Sequence, residues 1–262
     1  MARLAYLTRW QWAAGFRMTE NSRVAHDWLA GSQHWLAMGK RTELASGFCD
    51  GDAAALISPA ATRLGVVEFQ ELASIRRPQG HLTDPVIFLH PSRDDEAALV
   101  RNLVECEYVA DALVVVWSEQ DMVRFWLEAT SATNLLPSTP SARADALTIR
   151  ACEAFLLEEY NGLDQGYGKD AVVQALTAMH KAGFGLVPEY WLRATLAAGG
   201  SIESARSVAR FAKEINEGRR HRVNPRFRED ILAVWRAEVQ GDQGRPVTRQ
   251  ETATPRGVGA RP

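Results

Sequence analysis

The sequence predicts an α/β N-terminal domain with a small, mostly parallel sheet, then an all-α helical C-terminal domain and a disordered tail. Three observations predict this. Short apolar runs at 66–69, 86–89 and 112–117 are bounded by polar turns, the pattern of buried strands. The second and third are each followed at once by a helix start, Ser92 with Asp95 and Ser118 with Asp121, which is the S-x-x-D form of a helix cap. After the Pro/Ser-rich stretch NLLPSTPS between Asn134 and Ser141, every periodic segment repeats at three and four residues, the helical spacing.

Taken in order, residues 1–50 hold Trp10, Trp12, Trp28 and Trp35. Val24 and Trp28, then Trp35, Leu36 and Met38, fit two short helices broken near Gly31, with the aromatics as packing residues. The strand–helix–strand–helix order of the next stretch implies parallel strands joined by right-handed crossovers. A run such as Leu113-Val114-Val115-Val116 suits a strand covered on both faces. Val100, Leu103 and Val104 continue one crossover helix, and Met122, Phe125, Trp126 and Ala129 the other.

The domain organisation that follows is 1–136 for the α/β part with its Trp-rich helical start, 141–240 for the helical bundle and 241–262 for the tail. In the bundle, Leu147, Ala151 and Phe155 mark a first helix and 170–182 a second. Pro188 opens a third that ends at Gly199-Gly200, and Ser201 caps a fourth that ends at Gly218. Pro225 opens a fifth, with Phe227, Ile231 and Trp235 inward. Phe155, Leu176, Val208, Ile231 and Trp235 are the expected core. From Gly241 the composition turns to Gly, Pro, Thr and Arg, too poor in apolar residues to order a chain.

Composition excludes some functions. A formal net charge of −2 rules out a protein coated in positive charge for nucleic acid, so any basic patch must be local. No apolar run approaches the length of a membrane-spanning helix. Cys49, Cys106 and Cys152 are too far apart for zinc-ribbon spacing and odd in number for a disulfide framework, which points to a reduced cytoplasm. His26 and His34 are not at the spacing of a helical metal pair.

Three places carry chemistry. In YNGLDQGYGKD, Tyr160 to Asp170, the glycines Gly162, Gly166 and Gly168 precede Lys169 and a helix. Free amides and the helix dipole at such a start favour an anion, so Gly166, Gly168 and Lys169 are candidate ligands. The stretch departs from a nucleotide-hydrolase phosphate loop: five residues rather than four separate Gly162 from Gly168, and Asp170 stands where a hydroxyl binds magnesium. The carboxyl ends of the predicted parallel strands supply His90, Ser92, Arg93 and Ser118, the position where open sheets bind ligands; helix capping is the other role of both serines. Arg219, Arg220, Arg222 and Arg226 form a basic cluster suited to phosphates, diluted by Glu214, Glu217, Glu229 and Asp230. Those same cations also suit a helix C-terminus.

Glu68-Phe69-Gln70 after Asp50 and Asp52 resembles the metal-binding D…ExK core of restriction-type nucleases, with Gln70 in place of the lysine. The resemblance covers these few residues and implies carboxylates gathered on magnesium. A solvated glutamate on an edge strand is the alternative, and no metal site is assigned.

No catalytic constellation is complete. The residues point to a non-enzymatic cytoplasmic adaptor or regulator, contacting nucleic acid or a protein partner through the arginine cluster. The alternative is an enzyme, hydrolase or nuclease-like, acting on a phosphorylated or nucleotide ligand at the glycine loop or the sheet's carboxyl edge. No motif specifies a cofactor.

Overall fold

The computed structural model describes residues 3–8, 18–41, 54–55, 57–74, 84–136 and 142–243. Among the described residues, ten elements make the first half: β1 (Arg3–Thr8), α1 (Met18–Leu29), β2 (His34–Met38), β3 (Arg63–Glu68), α2 (Phe69–Ser74), β4 (Val86–Leu89), α3 (Asp94–Glu105), β5 (Asp111–Val116), α4 (Met122–Ala129) and β6 (Thr133–Asn134). Their six strands form one sheet in the order β3-β2-β4-β5-β1-β6, and every bonded pair is parallel. Helices α5 (Ala146–Leu156), α6 (Gly166–Lys181), α7 (Pro188–Ala197), α8 (Ile202–Asn216) and α9 (Ile231–Gln243) follow.

Alternation of side chains across each strand divides the sheet between two cores. Ala5, Leu7, Leu36, Ile87 and Leu113 face α1 through Ala25 and Leu29. Tyr6, Ala37, Phe88, Val114 and Val116 face α2, α3 and α4, and the same cluster takes in Leu192 and Leu196 of α7 and Ile202 and Ala205 of α8. A third cluster, with Phe155, Leu176, Trp191, Val208 and Trp235, fills the space among α5 to α9. Of the expected bundle core, Phe155, Leu176, Val208 and Trp235 are buried, while Ile231 is only half-buried at the rim.

The parallel sheet and the helical second half match the sequence reading; four local expectations do not. The N-terminal region is not two short helices. Its described part is strand, helix, strand, because Trp35, Leu36 and Met38 belong to β2, held between β3 and β4 by backbone bonds. Neither serine is a cap residue. Arg93 occupies the N-cap of α3, its N–H held by Glu96. Asp121 occupies that of α4, and accepts the N–H groups of Trp117 at 3.1 Å and Ser118 at 2.8 Å. Helix α6 begins at Gly166 instead of 170. Pro225 opens no helix: α9 starts at Ile231, since both backbone groups of Phe227 are taken by the side chain of Gln174. Trp10, Trp12, Cys49, Asp50, Asp52 and residues 137–141 lie outside the described residues, as does the tail from 244 onward.

Candidate nucleic-acid interface

Three helices end alike. In α6, α7 and α8 the residue after the C-cap is Gly183, Gly199 or Gly218, each with φ near +90°. The amide one residue further on reaches back five residues: Phe184 to Met179, Gly200 to Thr195, Arg219 to Glu214. This is the Schellman closure, which glycine enters without strain. In α8 the closure turns the chain out of the helix at Arg219, and the arginine-rich segment begins there.

Residues 219–230 form no helix or strand. Their path is set by α6, against which the segment lies. Asn224 Nδ2 donates to Asp170 Oδ2 at 3.1 Å. One helical turn on, Gln174 Oε1 accepts the N–H groups of Arg226 at 2.7 Å and Phe227 at 2.9 Å, and Gln174 Nε2 donates to the Phe227 carbonyl at 2.7 Å. Phe227 then sets its ring edge-on to buried Trp235 of α9, centroids 5.5 Å apart. A strip without secondary structure is thus fixed to α6 by side-chain hydrogen bonds to its backbone.

Between this strip and the ends of α6 and α8 runs a groove of about 950 Å³, lined by Lys181, Arg219, Arg220, His221, Arg228 and Ile215 among others. Its charges are not equivalent. Arg219 pairs with Glu214 at 2.7 Å, Arg228 with Asp230 at 2.8 Å, and Arg226 with Glu158. Lys181 lies in the last turn of α6 and complements the negative end of that helix. Arg220 and Arg222 are exposed, and no carboxylate among the described residues is within 4.0 Å of either. His221 is turned inward, its ring edge-on to Phe211 and its Nε2 3.2 Å from Glu214, so the arginines on both sides of it point to solvent. Of the four cluster residues, Arg219 and Arg226 are thus neutralised, while Arg220 and Arg222 have no carboxylate partner among the described residues.

The glycine stretch has a different geometry from a phosphate loop. Gly166 has φ +55° at the first position of α6, a conformation that favours glycine. Gly168 is buried, and a Cβ there would be 2.3 Å from the Gly162 carbonyl oxygen. The first turn of α6 is thereby clamped onto the preceding loop, and absence of a side chain is what permits it. The Lys169 amide donates to Gln165 O within the helix, which leaves the amides of Gly166, Tyr167 and Gly168 as the first-turn donors. Lys169 makes no ion pair among the described residues.

At the carboxyl edge, His90 has φ +55°, uncommon for a residue with a side chain though histidine is among those enriched there. It stacks on Trp117, centroids 4.9 Å apart. Ser92 and Arg93 are exposed, and Arg93 is paired with Asp95 at 2.5 Å. Ser118 Oγ accepts the Gln120 N–H at 3.2 Å. The chain leaves the neighbouring strands β2 and β4 outward in opposite directions along the sheet, to β3 and to β5, so their carboxyl ends at Met38 and Leu89 flank the topological switch point. Thr8, His90 and Trp117 are each engaged by further partners.

A buried Ser–His pair at the opposite edge was not legible in sequence. His34 Nε2 is 2.8 Å from Ser58 Oγ, Arg63 Nε donates to Ser58 O at 3.1 Å, and both Ser58 and His34 are fully buried. Burial pushes the His34 pKa down. Sealed from solvent at the amino ends of β2 and β3, the pair is a satisfied polar plug. Glu68 ends edge strand β3 and accepts the Arg41 N–H at 2.9 Å. Among the described residues no three His, Cys, Asp or Glu side chains gather as metal ligands, and no helix is long and apolar enough to cross a membrane.

The fold class is therefore an open parallel α/β sheet, covered on both faces, that carries a helical bundle with an arginine-lined groove. Compared with known proteins, the chain matches no family model, no curated protein and no solved structure.

Proposed function

We propose that the protein is a non-enzymatic adaptor or regulator of the cytoplasm that contacts nucleic acid through the Arg219–Arg228 segment. One observation carries this reading. Arg220 and Arg222 are exposed without a carboxylate partner, on an ordered strip that borders a groove of about 950 Å³. Arginines that only complemented helix ends would sit within the last turn, where the dipole acts. Arg222 lies beyond it, six residues past the end of α8 at Asn216. Guanidinium groups presented in this way suit phosphate oxygens, which accept their forked donors.

Binding of this kind is electrostatic and salt-dependent, because each neutralised phosphate releases counterions. Affinity for a labelled 20-nucleotide oligomer, measured between about 50 and 200 mM salt, is expected to fall on a straight log–log line. The double variant Arg220→Ala, Arg222→Ala should bind more weakly and reduce the slope by roughly 0.7–0.9 per lost phosphate contact. Binding that ignores salt, or no binding by the intact protein, removes the reading.

A further inference from the structure

The end of the molecule next to the arginine strip carries exposed aromatic surface. Tyr160 is 89% and Tyr167 62% exposed, and Leu157 beside them is 84% exposed. The glycine clamp brings the backbone segments that carry them together: Tyr160 is two residues before Gly162, whose carbonyl lies against Gly168, the neighbour of Tyr167. Arg226 joins them to the basic strip. Its guanidinium carbon is 4.2 Å from the centroid of the Tyr167 ring, and its charge is held by Glu158. Its backbone N–H is fixed by Gln174. Tyr167 is thus met by a planar cation while 62% of the residue stays exposed.

Large rings left in water lose apolar burial. Arg226 is neutralised by Glu158, so the positive charge open to an occupant is that of Arg222 and Arg220 on the same strip, and an occupant that recovers the burial and meets them is flat and carries negative charge. Single-stranded nucleic acid has both properties: its bases stack on aromatic side chains while its phosphates follow a basic groove. A duplex buries its base faces and offers phosphates and base edges, with no ring face to stack on. We propose that the ligand is single-stranded RNA or DNA, with bases stacked on Tyr167 and Tyr160 and phosphates running along α6 towards Arg222 and Arg220. Helix α6 has 16 residues and spans about 24 Å, room for a short run of nucleotides. This inference rests on the nucleic-acid reading above and specifies the form of the ligand.

The test compares oligo(dT) and oligo(U) of 20 nucleotides with a duplex of equal length, using the full chain. The intact protein should prefer the single strands. Tyr160→Ala with Tyr167→Ala should weaken single-strand binding roughly 10- to 100-fold for each stacked base lost, with the salt slope unchanged. Tyr160→Phe with Tyr167→Phe should restore it, because the ring face remains. Both pairs are exposed, and unchanged melting temperatures confirm that the variants fold.

Duplex preference, or single-strand binding unaffected by the alanine pair while Arg220→Ala, Arg222→Ala still weakens it, overturns this inference and leaves the nucleic-acid reading standing. Absence of any nucleic-acid binding overturns both. A concentration-dependent dimer in sedimentation, lost in the alanine pair while oligomer binding persists, assigns the tyrosines to a second copy of the chain and also overturns the inference.

Discussion

His34 shows how one side chain couples stability to pH. Its ring is fully buried, held by Ser58 and the Ser32 carbonyl, and burial lowers its pKa below the ordinary value of about 6.5. The unfolded chain therefore takes up a proton at a higher pH than the folded chain does. Stability contributed by neutral His34 is present above about pH 6.5 and declines as pH falls below it, towards the lowered folded value. His34→Gln removes this titration while it also weakens the plug. The stability difference between the intact protein and the variant is expected to shrink on acidification from pH 7.5 to 5.5, as read by urea denaturation. A difference that stays constant would mean that His34 does not titrate differently in the two states. Pairing with Ser58 was invisible in sequence because 24 residues separate the two, and no local spacing connects them.

Among elements, legibility followed burial and length. Strand β4, and β5 after its opening Asp111, are apolar runs buried along their length, and period and composition agreed there. Strand β2 reads HWLAM, and Leu, Ala and Met favour helix by intrinsic propensity. Only backbone bonds to two neighbours make it a strand, which is the sense in which strand propensity depends on context. The glycine stops of α6, α7 and α8 were readable because the left-handed residue after a C-cap has one common occupant. The course of residues 219–230 was not, since it depends on Gln174, a polar residue with no signal of its own. Gln174→Ala should release the strip while the helix persists, as alanine is the stronger helix former. Hydrogen exchange is expected to rise at the amides of Arg226 and Phe227, and oligonucleotide affinity to fall with Arg220 and Arg222 still present. Unchanged exchange at those two amides would show that Gln174 does not set the path.

At the scale of the whole molecule, the candidate site was half readable. Charges at 219–228 stood out in sequence, whereas the exposed tyrosines did not, because nothing in sequence separates a buried ring from a displayed one. The expected division near residue 137 also gains a physical test. One cluster contains both sheet residues such as Phe88 and Val114 and the helix residues Leu192, Leu196, Ile202 and Ala205. Arg193 of α7 further meets Glu128 of α4 at 3.4 Å, and Arg206 of α8 meets Asp94 of α3 at 2.7 Å. Shared packing of this kind makes two halves unfold together. Tryptophan fluorescence and far-ultraviolet dichroism are expected to report a single coincident transition in guanidinium. Two separated transitions would show independent domains on either side of that point.

The strand order has a consequence for synthesis on the ribosome. Strand β1 is made before the other five strands of the sheet, yet both of its partners come late: Arg3 pairs with Asp111, 108 residues on, and Ala5 with Thr133. At ordinary elongation speeds of about 5–20 residues per second, the nascent chain carries Leu4 to Leu7 unpaired for on the order of ten seconds. Contacts this distant in sequence are slow to close. The strand made before the other five is thus among the last to find its place, and it holds an apolar stretch that a chaperone can cover in the interval.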